Sequence, residues 1–250
     1  MDSFIRPDSS TPESFSWVNG KDAWQIMPSC WQEGLPPAHT FKGDNLLIVS
    51  TAISHFRDIE KSPAFQKLPM RQRRHLTNYS DEKSKRHKSM AYLMRAFLQQ
   101  HFGDTRMEMT TSHCGIWVVV ALGQEVSGVD VEKLSSPAQY PLVAAKLFPP
   151  RWQAQLVQFE NDAERESLFF TACWTALEAR FKLEMAPALL PYLKAELQKS
   201  APEKDTTVLN HFWVDEGYIG CLARCKGGST PLLHRLKADV ILYPDQELPR

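Results

Sequence analysis

The sequence predicts an α+β protein made of two similar lobes, each a small antiparallel sheet packed with a long helix. Three observations carry that expectation. In the first half, β-rich apolar runs at Leu46–Thr51 and Ile116–Leu122 flank two stretches of helical periodicity. The second half repeats the order: a strand around 127–132, helical stretches from 141 to about 185, then strands near 207–214, 218–224 and 236–243. The 250 residues, 43% of them hydrophobic, suffice to bury a sizeable core, as one large domain or two joined halves. The expected divisions are an irregular arm at 1–44, a first lobe at 45–125 and a second at 126–250.

Along the arm, Pro7, Pro12, Pro28, Pro36 and Pro37 break any helix. Trp17, Trp24 and Trp31 recur without the apolar partners of a heptad seam, so they are read as aromatics pinning the arm to the body. Leu46–Thr51 reads as a short buried strand. Residues 64–79 look helical and polar. Residues 81–101 form a longer helix with Met90, Leu93, Met94, Phe97 and Leu98 at helical spacing, and Gly103 is its stop. The turn at Gly123-Gln124 predicts a hairpin between Ile116–Leu122 and the strand at 127–132. A helix over 163–185 stops before Pro187. On it Leu168, Ala172, Ala176, Ala179 and Leu183 share one face, and Trp174, Glu178 and Lys182 share another.

Composition excludes several classes. The formal net charge is zero, with 29 basic and 29 acidic residues, so no global field points to nucleic acid or to a membrane surface. Five scattered cysteines without a CxxC pair suit free thiols in a reducing compartment. The N-terminus does not read as a signal peptide, and no run of about 18 apolar residues exists. The expected setting is cytoplasmic.

The chemistry gathers around Ser127-Gly128-Val129-Asp130-Val131-Glu132. On a strand, residues two apart point to one face, so Asp130 and Glu132 present their oxygens together. Two such anions suit a cation held between them, and an all-oxygen site suits Mg²⁺. A solvated edge or a salt-bridged pair has the same pattern. Glu178 adds a third carboxylate, and Lys182 a cation one turn later; four apart, the two also read as a helix-stabilising pair. Ser112-His113 precedes the neighbouring strand. Cys114 is not read as a nucleophile, because adjacent strand residues face opposite ways and His113 cannot pair with it. Arg71, Arg73, Arg74, Lys83, Lys85, Arg86 and Lys88 form a basic cluster, either a solvated face or a phosphate patch.

Ser112-His113, then Gly128-Val129-Asp130-Val131-Glu132, then Trp174-x-x-x-Glu178-x-x-x-Lys182 resembles the 4′-phosphopantetheinyl transferase superfamily, in its two-lobed, peptide-synthetase-activating form. The resemblance runs from about Arg71 to the C-terminus and includes Leu147-Phe148 and the turn at Val214–Tyr218. It implies transfer of the phosphopantetheine arm of coenzyme A to a serine of an acyl or peptidyl carrier protein, with release of adenosine 3′,5′-bisphosphate. It implies that Asp130, Glu132 and Glu178 hold Mg²⁺, that Glu178, directly or through water, is the base for the carrier serine, and that Lys182 and His113 contact phosphates with Ser112 beside them. Arg71 and Arg74 fall where the family places cations for the 3′-phosphate, and Arg86 on a third basic position near the nucleotide. A monomer is the implied state. The chain departs from the pattern at Leu177, where the family has Lys, and at Thr110, where it has Asn. Gln99–Met109 is also too short for the usual Gly-Lys-Pro element. A catalytically weak or silent member that binds coenzyme A or a carrier is the alternative. A metal-dependent phosphodiesterase or nucleic-acid binder lacks the further His or Asp ligands such sites use.

Overall fold

The structure, a computed structural model, describes residues 26–27, 30–38, 46–53, 59–103, 107–134, 141–198, 207–225 and 230–244. Trp17 and Trp24 lie outside the described residues.

The chain is mixed α+β, with two sheets and eight helices among the described residues. The strands are β1 (Ile26–Met27), β2 (Gln32–Glu33), β3 (Leu47–Ala52), β4 (Glu108–Cys114), β5 (Trp117–Gly123), β6 (Ser127–Lys133), β7 (Thr207–Asp215), β8 (Tyr218–Cys225) and β9 (Leu232–Arg235). The helices are α1 (Pro63–Gln66), α2 (Met70–Thr77), α3 (Glu82–Phe102), α4 (Pro141–Leu147), α5 (Pro150–Gln158), α6 (Ala163–Leu183), α7 (Leu189–Gln198) and α8 (Ala238–Leu242). One sheet runs β2-β9-β3-β5-β4 and the other β1-β7-β8-β6.

Alternation along the strands builds three cores in four layers. Val118, Val120 and Leu122 of β5 pack with Met90, Leu93, Met94 and Leu98 of α3. Trp117, Val119 and Ala121 face the opposite way, onto Val129 and Val131 of β6 and Phe212 and Leu222 of the second sheet. Ile219, Cys221 and Ala223 of β8 pack outward on Ala172, Ala176 and Ala179 of α6. Period two in the strands and the small residues of α6 explain why the sheets lie face to face with one long helix outside each.

Both long helices are capped as their ends require. Asp81 accepts from Ser84 N at 2.7 Å to open α3, and Gly103, at φ 64°, closes it. Asp162 accepts from Arg165 N at 3.1 Å to open α6. Glu164 and Glu166 sit in its first turn and Arg180 and Lys182 in its last, each favourable to the helix dipole.

Six expectations are corrected. β5 does not form a hairpin with β6: β3 and β4 occupy both its edges, and β6 pairs with β8 instead. Residues 124–126 therefore carry the chain from one sheet to the other. The sheets are mixed, since β9 runs parallel to β3, β2 parallel to β9, and β1 parallel to β7. Residues 232–242, expected in the second lobe, join the first sheet and its core through β9, Leu236, Ile241 and Leu242, and the expected strand at 236–243 is mostly α8. The helical stretch 64–79 divides into α1 and α2 at Pro69, and α7 was not expected at all.

Trp31 fastens the described segment 30–38 to the body. Its Nε1 donates to Trp213 O at 2.8 Å, and the Arg235 guanidinium lies over both the Trp31 ring (5.3 Å) and the Trp117 ring (4.8 Å). Trp31→Ala is expected to lower stability by about 2 kcal/mol in urea unfolding, from the lost hydrogen bond and cation–π contact. An unchanged midpoint would show that this contact carries no stability.

His211 of β7 is fully buried, with Nε2 3.0 Å from Ala172 O of α6. Burial pulls the imidazole down to about 4. The folded state thus keeps it neutral while the unfolded chain takes up a proton below about 6.5. The contribution of His211 is expected to be full above pH 6.5 and to fall, on the order of 2 kcal/mol, as pH drops to 4, against the opposite trend that a raised carboxyl such as Glu178 imposes. His211→Gln, with equilibrium unfolding measured from pH 4 to 7, should flatten that slope. His113 is lowered in the same direction, so part of the slope remains.

Candidate metal centre

The site forms where β6 passes under α6, and Gly128 makes that approach possible. A Cβ built at Gly128 would lie 1.8 Å from Ala179 O and 2.6 Å from Leu183 N. Both are backbone atoms, so no rotamer change could relieve the contact. The small Ala179 and the absent side chain at 128 let the last turn of α6 descend onto the strand. Glu178 and Lys182 are thereby brought over Asp130 and Glu132.

One oxygen from each of Asp130, Glu132 and Glu178 lies within 4.8 Å of the others. Asp130 is buried at 1% exposure, and the other two are half-buried. Lys182 Nζ donates to Asp130 Oδ1 at 2.7 Å and to Val129 O at 3.1 Å. The Glu178–Lys182 spacing read as a possible helix pair thus resolves differently: the ammonium pairs across to β6. Asp130 Oδ2 is buried with no hydrogen-bond donor. Burial first, then the Asp130 charge, pushes the Glu178 carboxyl up to about 8. The same causes raise Glu132. Three carboxyl groups share one lysine, so ionising all three together is unfavourable without a cation between them. An orphaned Asp130 oxygen and an all-oxygen donor set fit a hard divalent cation such as Mg²⁺.

β4 supplies donors from the other side. β4 and β6 are edge strands of different sheets, and side chains join them. Ser112 Oγ accepts from Val131 N at 3.3 Å and donates to Asp130 Oδ1 at 2.7 Å. Two residues on, Cys114 Sγ accepts from Lys133 N at 3.3 Å and donates to Glu132 Oε2 at 3.1 Å. Burial and the Glu132 charge push the Cys114 thiol up to about 12, so it stays protonated and is no nucleophile. The expected proximity of Ser112 to the acidic pair is present, but through edge-to-edge side-chain bonds and not through a hairpin.

His113 faces away from Ser112, toward α3. Its ring stacks on His87 with centroids 4.7 Å apart. His87 is buried, with its nitrogens 2.8 Å from Lys83 O and 2.8 Å from Gly115 O. Burial, then the charges of His87, Lys88 and Lys182, lower His113 to about 4, so it is neutral at pH 7. Sequence reasoning missed His87 and the bonding of Cys114. The period-two match of Ser112 and Cys114 with Asp130 and Glu132 was the available signal.

The basic residues are spread out. Arg71 lines a hollow of about 380 Å³ with Gln72, His75, Leu76 and Tyr92. Arg74 is exposed on the same helix. Arg86 lines a separate hollow of about 230 Å³ with Glu60, Lys61, Glu82, Lys85 and Ser89, where Lys85 is already paired with Glu60. Arg71 and Arg86 are thus not brought to one hollow. Leu177, beside Glu178, is buried in the core under α6. Residues 104–106, within the segment too short for a Gly-Lys-Pro element, lie outside the described residues. No helix among the described residues is long and apolar enough to cross a membrane.

No protein-family model matches this chain, and no curated protein matches it.

Proposed function

We propose that this chain is a Mg²⁺-dependent 4′-phosphopantetheinyl transferase of the two-lobed type, moving the arm of coenzyme A onto a serine hydroxyl of an acyl or peptidyl carrier protein. The observation that carries the reading is the convergence of Asp130, Glu132 and Glu178, from two separated motifs, within 4.8 Å of one another, with Lys182 against Asp130. One 21-residue helix, α3 or α6, backs each sheet, which supports a pseudo-twofold pair of lobes.

In this reading Asp130, Glu132 and Glu178 hold the cation. When bound, a divalent cation there neutralises the pyrophosphate of coenzyme A and spreads the charge that develops on the phosphoryl oxygens. Glu178, ionised when it holds a cation, would take the proton of the attacking serine, directly or through water. Lys182, bonded to Asp130 Oδ1 and Val129 O, would supply the ammonium that contacts a phosphate beside the site. His113, neutral at pH 7, offers a hydrogen bond and not a charge. Arg71, Arg74 and Arg86 would anchor the 3′-phosphate and nucleotide, and the spread of these residues asks that the substrate span more than one hollow. Ser112 serves the site by holding Asp130, since its hydroxyl is taken up at both ends. A monomer acting in the cytoplasm completes the reading.

A second reading has its own support. Leu177 is buried, so the cation the family carries there is absent, and the Ser112 hydroxyl is engaged. A silent relative that binds coenzyme A or a carrier without turnover would show those features. The two readings separate in one assay. The protein is incubated with coenzyme A, Mg²⁺ and a panel of apo carrier proteins, and adenosine 3′,5′-bisphosphate is measured. Transfer requires release that depends on both carrier and Mg²⁺ and stops with EDTA. Binding of coenzyme A without release favours the silent relative.

A further inference from the structure

Cys114 is the one group around the carboxylates to which no role has been given. Its bonding repeats that of Ser112 at a two-residue step. Each side chain accepts a backbone N–H from β6, Val131 N for Ser112 and Lys133 N for Cys114. Each then donates to the carboxylate one residue earlier on β6, Ser112 to Asp130 Oδ1 and Cys114 to Glu132 Oε2. The repeat arises because both strands are edges: β6 turns the N–H groups of Val131 and Lys133 toward β4, which answers them with side chains in place of carbonyls. One oxygen of each carboxylate is thereby bonded from β4, Asp130 Oδ1 and Glu132 Oε2. A carboxylate held this way loses less rotational freedom when it takes a cation, which is the work of groups that hydrogen-bond metal ligands.

We propose that Cys114 is a positioning residue of the metal centre, its thiol fixing the Glu132 carboxylate in the orientation that receives a divalent cation. The inference rests on the metal reading given above. It assigns Cys114 no contact with the cation or with substrate.

The test uses the full chain and Mn²⁺ alone as probe, with free Mn²⁺ read by electron paramagnetic resonance. Cys114→Ala removes the donor and should weaken Mn²⁺ binding about tenfold, the scale typical of groups behind metal ligands. Cys114→Ser restores a donor and should bring affinity back to within about threefold of wild type. Cys114→Val fills the thiol's space without a donor and stands in if the Ala variant does not fold. A packing role alone would predict the reverse order, with Val close to wild type and Ser impaired. Wild-type affinity in the Ala or Val variant, or no rescue by Ser, would overturn the proposal while leaving the metal centre standing. Failure of the wild-type chain to bind Mn²⁺ would overturn both.

Discussion

Glu178→Gln is expected to abolish Mg²⁺-dependent transfer while making the metal-free protein more stable at pH 8. On the proposed reading the loss follows from removing a cation ligand and the base at once. Several kcal/mol of transition-state stabilisation correspond to a fall of about a thousandfold or more in rate. The gain follows from the electrostatics of the site. Burial and the Asp130 charge raise the Glu178 carboxyl to about 8, above its ordinary 4.5. Between those values the folded state holds a proton that the unfolded chain releases. The Glu178 contribution to wild-type stability therefore declines as pH rises from 4.5 to 8 in the absence of metal. Gln is neutral, removes that decline, and has an amide that can donate toward the orphaned Asp130 Oδ2. A stabilisation on the order of 1 kcal/mol or more at pH 8 is expected in urea unfolding with EDTA. Saturating Mg²⁺ should invert the order, because the cation stabilises the wild type and not the variant. A variant that loses transfer and metal-free stability together would show that Glu178 is a structural residue.

Gly128→Ala should damage both fold and site. The added Cβ would meet the Ala179 carbonyl oxygen at 1.8 Å, a backbone atom held within α6. Either β6 or the last turn of α6 must move by more than an ångström. A cost of about 3 kcal/mol or more is expected, at the upper end for one methyl group in a packed interior. Because the shift separates Glu178 and Lys182 from Asp130 and Glu132, metal binding and transfer should fall further than stability predicts. A variant with wild-type stability and Mn²⁺ affinity would refute the close packing of helix on strand as the device that assembles the centre.

Much of this arrangement was legible in the sequence because its periodicities are local. Asp130 and Glu132 two apart on a strand, and Glu178 and Lys182 four apart on a helix, point where backbone geometry requires. The α3 and α6 spans follow from apolar spacing and end signals such as Gly103 and Pro187. The failures that moved whole strands were of long-range pairing, while the break at Pro69, α7 and α8 were local misreadings. A Gly123-Gln124 turn after an apolar strand reads locally as a hairpin, yet β5 is central in its sheet and has no free edge for β6. β9 reads as part of the second half by position and joins β3 across more than 180 residues. The salt bridge of Lys182 to Asp130, in place of Glu178, depends on how closely α6 approaches β6, which only Gly128 and Ala179 together determine. Cys114 was rejected as a nucleophile on a side-chain alternation argument; its bond to Glu132 gives the rejection a further physical cause.

The central claim is transfer of phosphopantetheine, and intact mass spectrometry of the acceptor tests it most directly. An apo carrier protein is incubated with the full chain, coenzyme A and Mg²⁺, and the carrier is weighed before and after. The account predicts a carrier heavier by one phosphopantetheine, with the increment lost when its acceptor serine is replaced by alanine. Unchanged mass across several acyl and peptidyl carriers, under conditions where the chain binds both Mn²⁺ and coenzyme A, would contradict it.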